Sequence, residues 1–321
     1  MLAVDIPALS AYPEQMSFPP AVAETLRHAL ATVVAVPVTP LHADGTPDWD
    51  AYAVLTGRLI DGGITVITPN GNTGEFYALS HAEARQALAM AAAASRGRAE
   101  LLAGVGHDIA TAVEAARHAR DHGVRMIMIH QPVHPYVSAE GWVQYHAAIA
   151  SAVPDLGVVL YLRNERISGA RIAELADRAP NVIGVKYGVR DATTFAAVAR
   201  DAGLDRFTWL AGAAELTAPA YWACGAHGFT SGLASVSPGL PLAMLDALRA
   251  NDFGAAMKVW DSARRFEELR LADASADNVS VVKEALAQLG LCRAGVRPPS
   301  RPLPPEIRQE ITGILASWGL T

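Results

Sequence analysis

Short apolar runs alternate with longer amphipathic stretches along most of the chain. The short runs end in Gly, Pro, Asn or His, as buried strands do, whereas the longer stretches repeat with a helical period. The pattern predicts eight strands, at Val33–Pro37, Ile64–Pro69, Glu100–Val105, Arg125–His130, Gly157–Tyr161, Val182–Val185, Phe207–Leu210 and Gly228–Thr230. It predicts helices between them at Asp50–Asp61, His81–Arg96, Ile109–His122, Ala139–Ala152, Gly169–Arg178, Thr193–Ala202 and Glu215–Cys224.

Eight strands that alternate with helices predict parallel βαβ units and therefore an α/β fold, which closes naturally into a (β/α)8 TIM barrel. A doubly wound open sheet is the competing architecture. Such a sheet usually has a glycine-rich phosphate turn after its first strand, and residues 36–40 (VPVTP) contain no glycine. The barrel is therefore the predicted fold.

The barrel is expected to occupy residues 32–250, with a segment on either side of it. Residues 1–31 form a proline-punctuated lead with a helix at Ala21–Leu30 that we expect to cap the bottom of the barrel. Residues 251–321 are expected to form a helical segment packed on the barrel. Its helices are predicted at Phe253–Leu271, Ser280–Leu289 and Pro305–Trp318, the last one after a proline-rich connector.

Composition removes several classes of function. The chain has 321 residues, 51% of them hydrophobic, so a large core is possible, and its net charge of −6 gives no reason to expect nucleic acid or a membrane surface as partner. No apolar stretch reaches the roughly 18 residues of a spanning helix, and the first 30 residues do not resemble a signal peptide. Two distant cysteines, Cys224 and Cys292, form neither a disulfide framework nor a metal knuckle. A cytoplasmic location is the expectation.

Lys186 is the first candidate for chemistry, because it directly follows the apolar run of the sixth predicted strand. The chain contains 23 arginines and only three lysines, so its surface positive charge is carried by arginine. A lysine desolvated at a barrel mouth can lose its proton near neutral pH and attack a carbonyl, whereas arginine cannot. A lysine extending from the barrel rim into solvent is the alternative interpretation.

Other strand ends supply candidate substrate contacts. After the second strand, Gly71 and Gly74 bracket Asn72 and Thr73, a suitable cradle of backbone N–H groups and a hydroxyl for a carboxylate, although a plain Gly-Asn turn has the same sequence. Tyr161 ends the fifth strand and is a candidate proton relay, or simply a half-buried aromatic residue. The remaining candidate contacts are Arg163, Arg166, Gly212, Thr230 and Ser231.

Three histidines support a different class of enzyme. His107 follows the third predicted strand, and His130 and His134 lie at the end of the fourth. Three histidines at adjacent strand ends can ligate a divalent metal, as in a barrel hydrolase or a metal-dependent aldolase. Against this, the chain has no H-x-H pair on an early strand, and few carboxylates lie at matching positions.

Taken together, the strand ends resemble the dihydrodipicolinate synthase/N-acetylneuraminate lyase superfamily of class I aldolases. The resemblance covers nearly the whole chain. It is carried by Pro37-Val38-Thr39-Pro40, Gly71-Asn72-Thr73-Gly74-Glu75, Tyr161, Ile183-Gly184-Val185-Lys186, Gly225-Ala226-His227-Gly228 and the tail from Val282-Lys283-Glu284-Ala285-Leu286 to Pro298-Pro299.

The resemblance implies roles for specific residues. Lys186 would form a Schiff base with the C2 carbonyl of a small 2-keto acid, and Tyr161 would pass protons to and from the carbinolamine. Thr73 and the backbone around Asn72 would bind the C1 carboxylate. The iminium would then stabilise the carbanion that forms at C3 when a C–C bond breaks or a proton leaves.

Departures from the synthase pattern bear on the reaction. Residues 132–136 (PVHPY) have Val-His where the synthases have a tyrosine pair, and Asn72 replaces the first of two threonines. Residues 161–164 (YLRN) and 186–191 (KYGVRD), with Phe76 and the lead helix, are more similar to the 5-dehydro-4-deoxyglucarate dehydratase branch, although Tyr187 stands where that branch tends to have an acidic residue. Arg163 or Arg166 would clamp a second carboxylate.

The sequence therefore predicts a Schiff-base dehydratase or lyase that acts on a 2-keto-3-deoxy sugar acid and needs no cofactor or metal. A pyruvate-dependent aldolase or a synthase-like condensation is the close alternative. A metal-dependent barrel hydrolase and an inactive barrel that only binds a keto acid are the alternatives from other classes. The resemblance also implies a homotetramer built as a dimer of dimers.

Overall fold

The structure is a computed structural model that describes residues 18–321. The proline-punctuated lead as far as residue 17 lies outside the described residues. None of the helices in the described part of the chain is both long and apolar enough to cross a membrane.

Eight parallel strands form a closed barrel in which each strand pairs with the next and the first pairs with the last. The strands are β1 (Val33–Ala35), β2 (Val66–Ile67), β3 (Glu100–Val105), β4 (Met126–Ile129), β5 (Gly157–Leu162), β6 (Val182–Tyr187), β7 (Thr208–Ala211) and β8 (Gly228–Ser231). The helices around them are α2 (Trp49–Asp61), α3 (His81–Ser95), α4 (Ile109–Asp121), α5 (Ala139–Ser151), α6 (Gly169–Arg178), α7 (Ala192–Ala202), α8 (Ala214–Ala223) and α9 (Gly239–Arg249). The predicted barrel is confirmed.

Strand β6 is longer than its apolar run predicts, and this moves the candidate lysine. Lys186 was expected directly after the strand, but it lies within the ladder, where its Cα is paired with those of Tyr161 on β5 and Leu210 on β7. The ladder continues to Tyr187 because both neighbouring strands extend equally far. The sequence pattern ends the strand at its first charged residue. In the structure, β6 ends where its backbone pairing with β5 and β7 ends.

Helix α9 is absent from the predicted series. It begins at Gly239, directly after Pro238, and contains Pro241 in its first turn. Proline is well tolerated there, because the first N–H groups of a helix have no partner within it. Glycine and proline obscured the start of the helix, so its apolar face of Met244, Leu245 and Leu248 was not recognised.

Helix α1 (Pro20–Leu30) precedes the barrel and closes its amino-terminal end. Leu26 and Leu30 are buried in one cluster with inward-facing strand residues such as Val34 and Met126. Arg27 donates hydrogen bonds to the carbonyls of Asp205 and Arg206, just before β7. The interior is therefore apolar at this end, and polar side chains collect at the opposite end.

Three helices follow the barrel: α10 (Phe253–Ser275), α11 (Asn278–Gln288) and α12 (Pro305–Ser317). They share a core with the barrel's upper loops, in which Phe266 and Val282 pack with Val38 and Leu233. Helix α10 loses helical geometry at residues 272–274, directly after the predicted helix end at Leu271. This break turns the chain back across the carboxyl ends of the strands.

Candidate active site

Lys186 and Tyr161 face one another across the carboxyl end of the barrel. They occupy paired positions on β6 and β5, so their side chains point to the same side of the sheet. The Lys186 Nζ atom lies 4.3 Å from the centroid of the Tyr161 ring, and both side chains are buried. The lysine has an aromatic face beside it rather than a carboxylate.

The surroundings of Lys186 favour its neutral form. Burial, and next the charges of Arg163 and Arg270, lower the pKa of Lys186 to about 7. Burial also raises the pKa of the Tyr161 hydroxyl, against the smaller opposite effect of Arg163. At neutral pH the pair therefore offers a nucleophilic amine next to a protonated phenol, which is the combination that carbinolamine formation requires.

The loop after β2 supplies the polar groups opposite the lysine. Residues 72–74 form one turn of 3₁₀-helix, which buries Thr73 and places the Asn72 amide 3.4 Å from the Tyr161 hydroxyl. Glu75 follows in the left-handed conformation, with φ of 60°, an uncommon geometry for a side-chain-bearing residue. The loop is thus held in a strained turn whose hydroxyl and amide lie beside the reactive pair.

A cavity of about 60 Å³ lies where these groups meet. Six of the residues expected at the site line it, namely Asn72, Thr73, Tyr161, Lys186, Gly212 and Thr230. These residues come from three strands, β5, β6 and β8, and from the loops that follow β2 and β7. The structure brings them together around one small space.

The other expected contacts lie outside this cavity. Gly74 accepts a hydrogen bond from the Thr39 hydroxyl and donates its N–H to the carbonyl of Gly71. Arg163 is exposed at the mouth, near enough to influence both Tyr161 and Lys186. Arg166 is exposed and donates a hydrogen bond to the carbonyl of Val137, 3.1 Å away. Of the two arginines expected to clamp a second carboxylate, only Arg163 stands beside the reactive groups.

Ser231 is buried behind the cavity rather than exposed to it. Its Oγ atom donates to Glu215 Oε1 at 2.5 Å and accepts from the backbone N–H of Ala234. Burial, and next the carboxylate of Glu267, raise the pKa of Glu215 far above its usual range. Ser231, expected as a substrate contact, is therefore bonded to a buried acid and does not line the cavity.

Four residues of the carboxyl-terminal segment complete the cavity, and sequence reasoning did not include them. They are Glu267, Arg270, Leu271 and Asn278. Arg270 and Glu267 form a buried ion pair at 2.6 Å. In the sequence this stretch has the mixed charge of a solvated helix, so no local signal marks it. Only the break after Leu271 hints at a special role.

The three histidines do not form a ligand set. His130 is fully buried, contacts the carbonyl of Asn70 through Nε2, and stacks on Phe76 with ring centroids 4.1 Å apart. His107 also stacks on Phe76, whereas His134 is exposed and contacts the backbone of Tyr136. Burial lowers the pKa of His130 to about 3. Within residues 18–321, no three His, Cys, Asp or Glu side chains are grouped to hold a metal.

A larger cavity, of about 370 Å³, lies outside the barrel between α3, α4 and the end of β3. Its walls include His81, Arg85, His107 and His118, and neither Lys186 nor Tyr161 reaches it. The volume of a cavity therefore does not identify the candidate active site in this protein. The smaller cavity is the candidate active site, because it holds a desolvated amine, a phenol and hydroxyl donors within reach of one another.

Comparison with known proteins agrees with this geometry. Residues 29–317 match the model of the dihydrodipicolinate synthetase family. The chain is 31% identical over 288 residues to 4-hydroxy-tetrahydrodipicolinate synthase of Phenylobacterium zucineum, an alignment that covers 88% of this chain and 95% of the relative. It is also 31% identical over 301 residues to a probable 5-dehydro-4-deoxyglucarate dehydratase of Methylobacterium radiotolerans, covering 91% and 97%.

Solved structures show the same likeness. Dihydrodipicolinate synthase from Bacillus clausii superposes with a TM-score of 0.88 at 39% identity, covering 92% of this chain and 99% of that one. The Oceanobacillus iheyensis enzyme gives 0.88 at 37% identity, covering 94% and 100%. Relatives with two different names therefore match at similar identity. The chain belongs to the dihydrodipicolinate synthetase family and is an enzyme of the class I aldolase type, a lyase.

Proposed function

We propose that this enzyme forms a Schiff base between Lys186 and the keto group of a 2-keto-3-deoxy sugar acid and then eliminates water, as a dehydratase similar to the 5-dehydro-4-deoxyglucarate dehydratases. The observation that carries the proposal is the position of Lys186. It is a buried lysine on the wall of a polar cavity, with a pKa lowered to about 7 and a phenol beside it.

The chemistry starts with the neutral Lys186 amine, which attacks the C2 carbonyl carbon of the substrate. The carbonyl oxygen takes a proton from the Tyr161 hydroxyl, and loss of water from the carbinolamine leaves the iminium. The iminium withdraws electrons, so a proton leaves C3 and the C3–C4 bond becomes double as the C4 hydroxyl departs as water. A diacid substrate also loses its distal carboxylate as carbon dioxide, because the electron pair of the C5–C6 bond can move through the C3–C4 double bond to the iminium. The resulting enamine takes up a proton to return to the imine. Hydrolysis of the imine then releases the product and restores the amine.

Dehydration is favoured over condensation by two observations on this chain. The residues that stand where the synthases have a tyrosine pair are Val133 and His134, both exposed, and His134 contacts only Tyr136 within its own loop. The second observation is Arg163, a cation at the cavity mouth that suits a substrate with a second carboxylate.

A pyruvate-dependent aldolase or condensing enzyme is the second candidate. It is supported by the relatives named 4-hydroxy-tetrahydrodipicolinate synthase, one of which matches at the same 31% identity as the probable dehydratase of Methylobacterium radiotolerans. Both candidates use the same imine and differ in which bond at C3 or C4 breaks or forms. A homotetramer and a cytoplasmic location also belong to this proposal.

The first experiment is borohydride reduction in the presence of pyruvate, followed by intact-mass and peptide analysis. A pyruvyl adduct on Lys186 is expected in the wild-type enzyme and in Lys258→Arg, which changes an exposed lysine. No adduct is expected in Lys186→Arg. Failure of the wild type to trap pyruvate or any longer keto acid would overturn the imine and revive the metal hydrolase or the non-catalytic binding protein.

A substrate panel then separates the two reactions. Incubation with 5-dehydro-4-deoxyglucarate should release water and carbon dioxide, which mass spectrometry of the product detects. Incubation with pyruvate and aspartate semialdehyde should give no condensation product. The reverse result would assign the enzyme to the condensing branch.

A further inference from the structure

Arg270 is the unexpected charge in the cavity. It lies near the end of α10, is 5% exposed, and lines the same small space as Lys186 and Thr73. Arginine is seldom buried, because removing its charge from water is costly unless partners replace the water. The mechanism described above gives it no role.

The known partners of Arg270 do not use all of its donors. Nη1 donates to Glu267 at 2.6 Å, and Nη2 donates to Asn278 at 2.8 Å. A third contact, from Nη2 to the Thr73 hydroxyl, is at the limit of hydrogen bonding at 3.5 Å. A guanidinium has five N–H donors, and the buried Nε atom has no partner. Donor capacity therefore remains beside Thr73.

The barrel leaves room for this guanidinium at a specific point. A Cβ atom on Gly232, which follows β8, would collide with the terminal nitrogen atoms of Arg270. The glycine thus lets the side chain reach the carboxyl ends of the strands from outside the barrel. A residue of the carboxyl-terminal segment is in this way placed opposite the reactive lysine.

We propose that Arg270, together with Thr73, binds the carboxylate that is bonded to the reacting carbonyl carbon of the keto acid. The assignment rests on the proposed function, because it takes the imine at Lys186 as the point from which that carboxylate is placed. The carboxylate is attached directly to the carbon that Lys186 attacks, so it must lie within the same small cavity. Arginine binds carboxylates as a planar fork, with energies above those of neutral hydrogen bonds.

The charges in the cavity are consistent with this arrangement. In the free enzyme, Arg270 is balanced by Glu267, and Lys186, with a pKa of about 7, becomes increasingly neutral as pH rises above 7. The substrate brings one negative charge at this subsite, and iminium formation creates one positive charge. Substrate binding and imine formation together therefore leave the net charge of the buried site unchanged, which avoids an uncompensated charge in a desolvated space.

The test compares ligands that differ only in the carboxylate. The concentration of pyruvate that gives half-maximal borohydride trapping is measured for the wild type, Arg270→Lys, Arg270→Gln and the double variant Arg270→Gln/Glu267→Gln. The double variant removes both members of the buried pair, so it leaves no lone buried charge. Pyruvamide, whose carboxylate is replaced by a neutral amide, is measured in parallel, and Arg264→Gln on the exposed side of α10 is the control.

Loss of a charge-assisted hydrogen bond is expected to raise the half-saturating pyruvate concentration of the double variant about 10- to 100-fold. Pyruvamide trapping should change little, so the preference for pyruvate over pyruvamide collapses. Arg270→Lys should keep part of the preference for pyruvate, because lysine retains the positive charge but cannot form the two parallel hydrogen bonds of a guanidinium. A purely structural role would weaken both ligands together. A folded double variant with wild-type preference for pyruvate would overturn the proposal.

A second measurement separates this inference from the imine itself. Lactate carries the same carboxylate but cannot form an imine, and its binding is measured by calorimetry on the wild type and the double variant. If no imine is trapped in the wild type but lactate binding is lost in the double variant, the proposed reaction fails and the Arg270 site stands. If the wild type traps pyruvate and the variants keep its carboxylate preference, the Arg270 assignment fails alone. Lactate binding that is absent in the wild type, or equal in both proteins, also counts against it.

Discussion

Lys186 and Lys283 are both buried, yet their surroundings are opposite. Lys186 faces a cavity with a tyrosine ring beside it and two arginines as its charged influences. Lys283, on α11, is ion-paired with Glu75 and also donates to the carbonyl of Gly295 at 2.8 Å. Burial lowers the pKa of both lysines, but the Glu75 carboxylate opposes this effect only at Lys283.

The difference separates the lysine that we propose as the nucleophile, Lys186, from Lys283, which is held in an ion pair. A buried amine without a counter-charge is poised to lose its proton and act as a nucleophile. A buried amine with a carboxylate partner keeps its charge and fixes its partner's position. Glu75 follows Asn72 and Thr73 in the loop after β2 and has a positive φ, so its ion pair with Lys283 anchors the loop that lines the candidate active site.

The largest contrast is expected when each lysine is changed to arginine. Lys186→Arg should fold but lose turnover by about 10⁴-fold or more, the scale seen when a covalent nucleophile is removed. Lys283→Arg keeps the charge opposite Glu75 and should retain the Lys186 adduct in borohydride trapping. Steady-state kinetics measures the turnover of both variants, and intact-mass analysis after borohydride reduction measures the adduct. Near-native turnover of Lys186→Arg would show that Lys186 is not the nucleophile and does not differ from Lys283 in this respect.

Tyr161→Phe should have the next largest effect. The ring beside Lys186 is kept, but the hydroxyl that passes protons to the carbinolamine is lost, at a typical cost of about 10²- to 10⁴-fold in rate. The loss should appear in kcat more than in the pyruvate concentration needed for trapping. Single-turnover imine formation measures it. A rate within a few-fold of the wild type would assign the proton transfers to another group.

Changing each lysine to methionine sharpens the comparison in stability. Lys283→Met leaves Glu75 buried without a partner and should lower the free energy of unfolding by about 3–5 kcal/mol, which Glu75→Gln in the same chain should partly restore. Lys186→Met should be at least as stable as the wild type at pH 7. The pKa of Lys186 is lower in the folded protein than in the unfolded chain. Below the pKa of the unfolded chain, Lys186 therefore lowers the free energy of unfolding, and this cost fades as pH rises toward 10.

Urea unfolding of both variants at pH 7 and pH 9 measures these effects. The advantage of Lys186→Met over the wild type should shrink at the higher pH. Equal losses of stability for the two lysine variants would mean that Lys186 is also a structural cation.

The smallest effect is expected in the pH profile. The value of kcat/KM should rise with pH as Lys186 loses its proton, with a midpoint near the pKa of about 7. Arg163→Gln removes a positive charge that lowers this pKa, so the midpoint should move to higher pH. Arg166→Gln, a neighbouring exposed arginine bonded to Val137, is the matched control and should leave the midpoint in place. If Arg163→Gln leaves the midpoint unchanged, the pH profile reports the titration of a group other than Lys186.

The sequence predicted the alternation of strands and helices well, because each buried strand is a continuous apolar run. Strand β3 has the predicted bounds, Glu100–Val105, and all eight strands were found. The placement of Lys186 within β6 was not predicted, because the end of a strand depends on the ladders of its neighbours. Helix α9 was missed because Pro238 and Gly239 conceal its start.

The sequence predicted those residues of the cavity that come from the barrel, but not those that come from the helices after it. Lys186, Tyr161 and Thr73 follow or end strands, and the closed barrel guarantees that strand ends converge. Arg270 and Asn278 reach the same cavity from helices after the barrel, where no rule of the fold places them. Their position depends on the break after Leu271 and on long-range packing, neither of which leaves a periodic signal in the sequence.

The break in α10 has a consequence for how the enzyme is made. Lys186 and Tyr161 are translated well before Arg270 and Asn278, which close the same cavity from the last quarter of the chain. The residues that line the cavity from the barrel are thus synthesised before those that line it from the carboxyl-terminal helices. We therefore expect a chain truncated before α10 to lack the wall of the cavity that Arg270 and Asn278 supply.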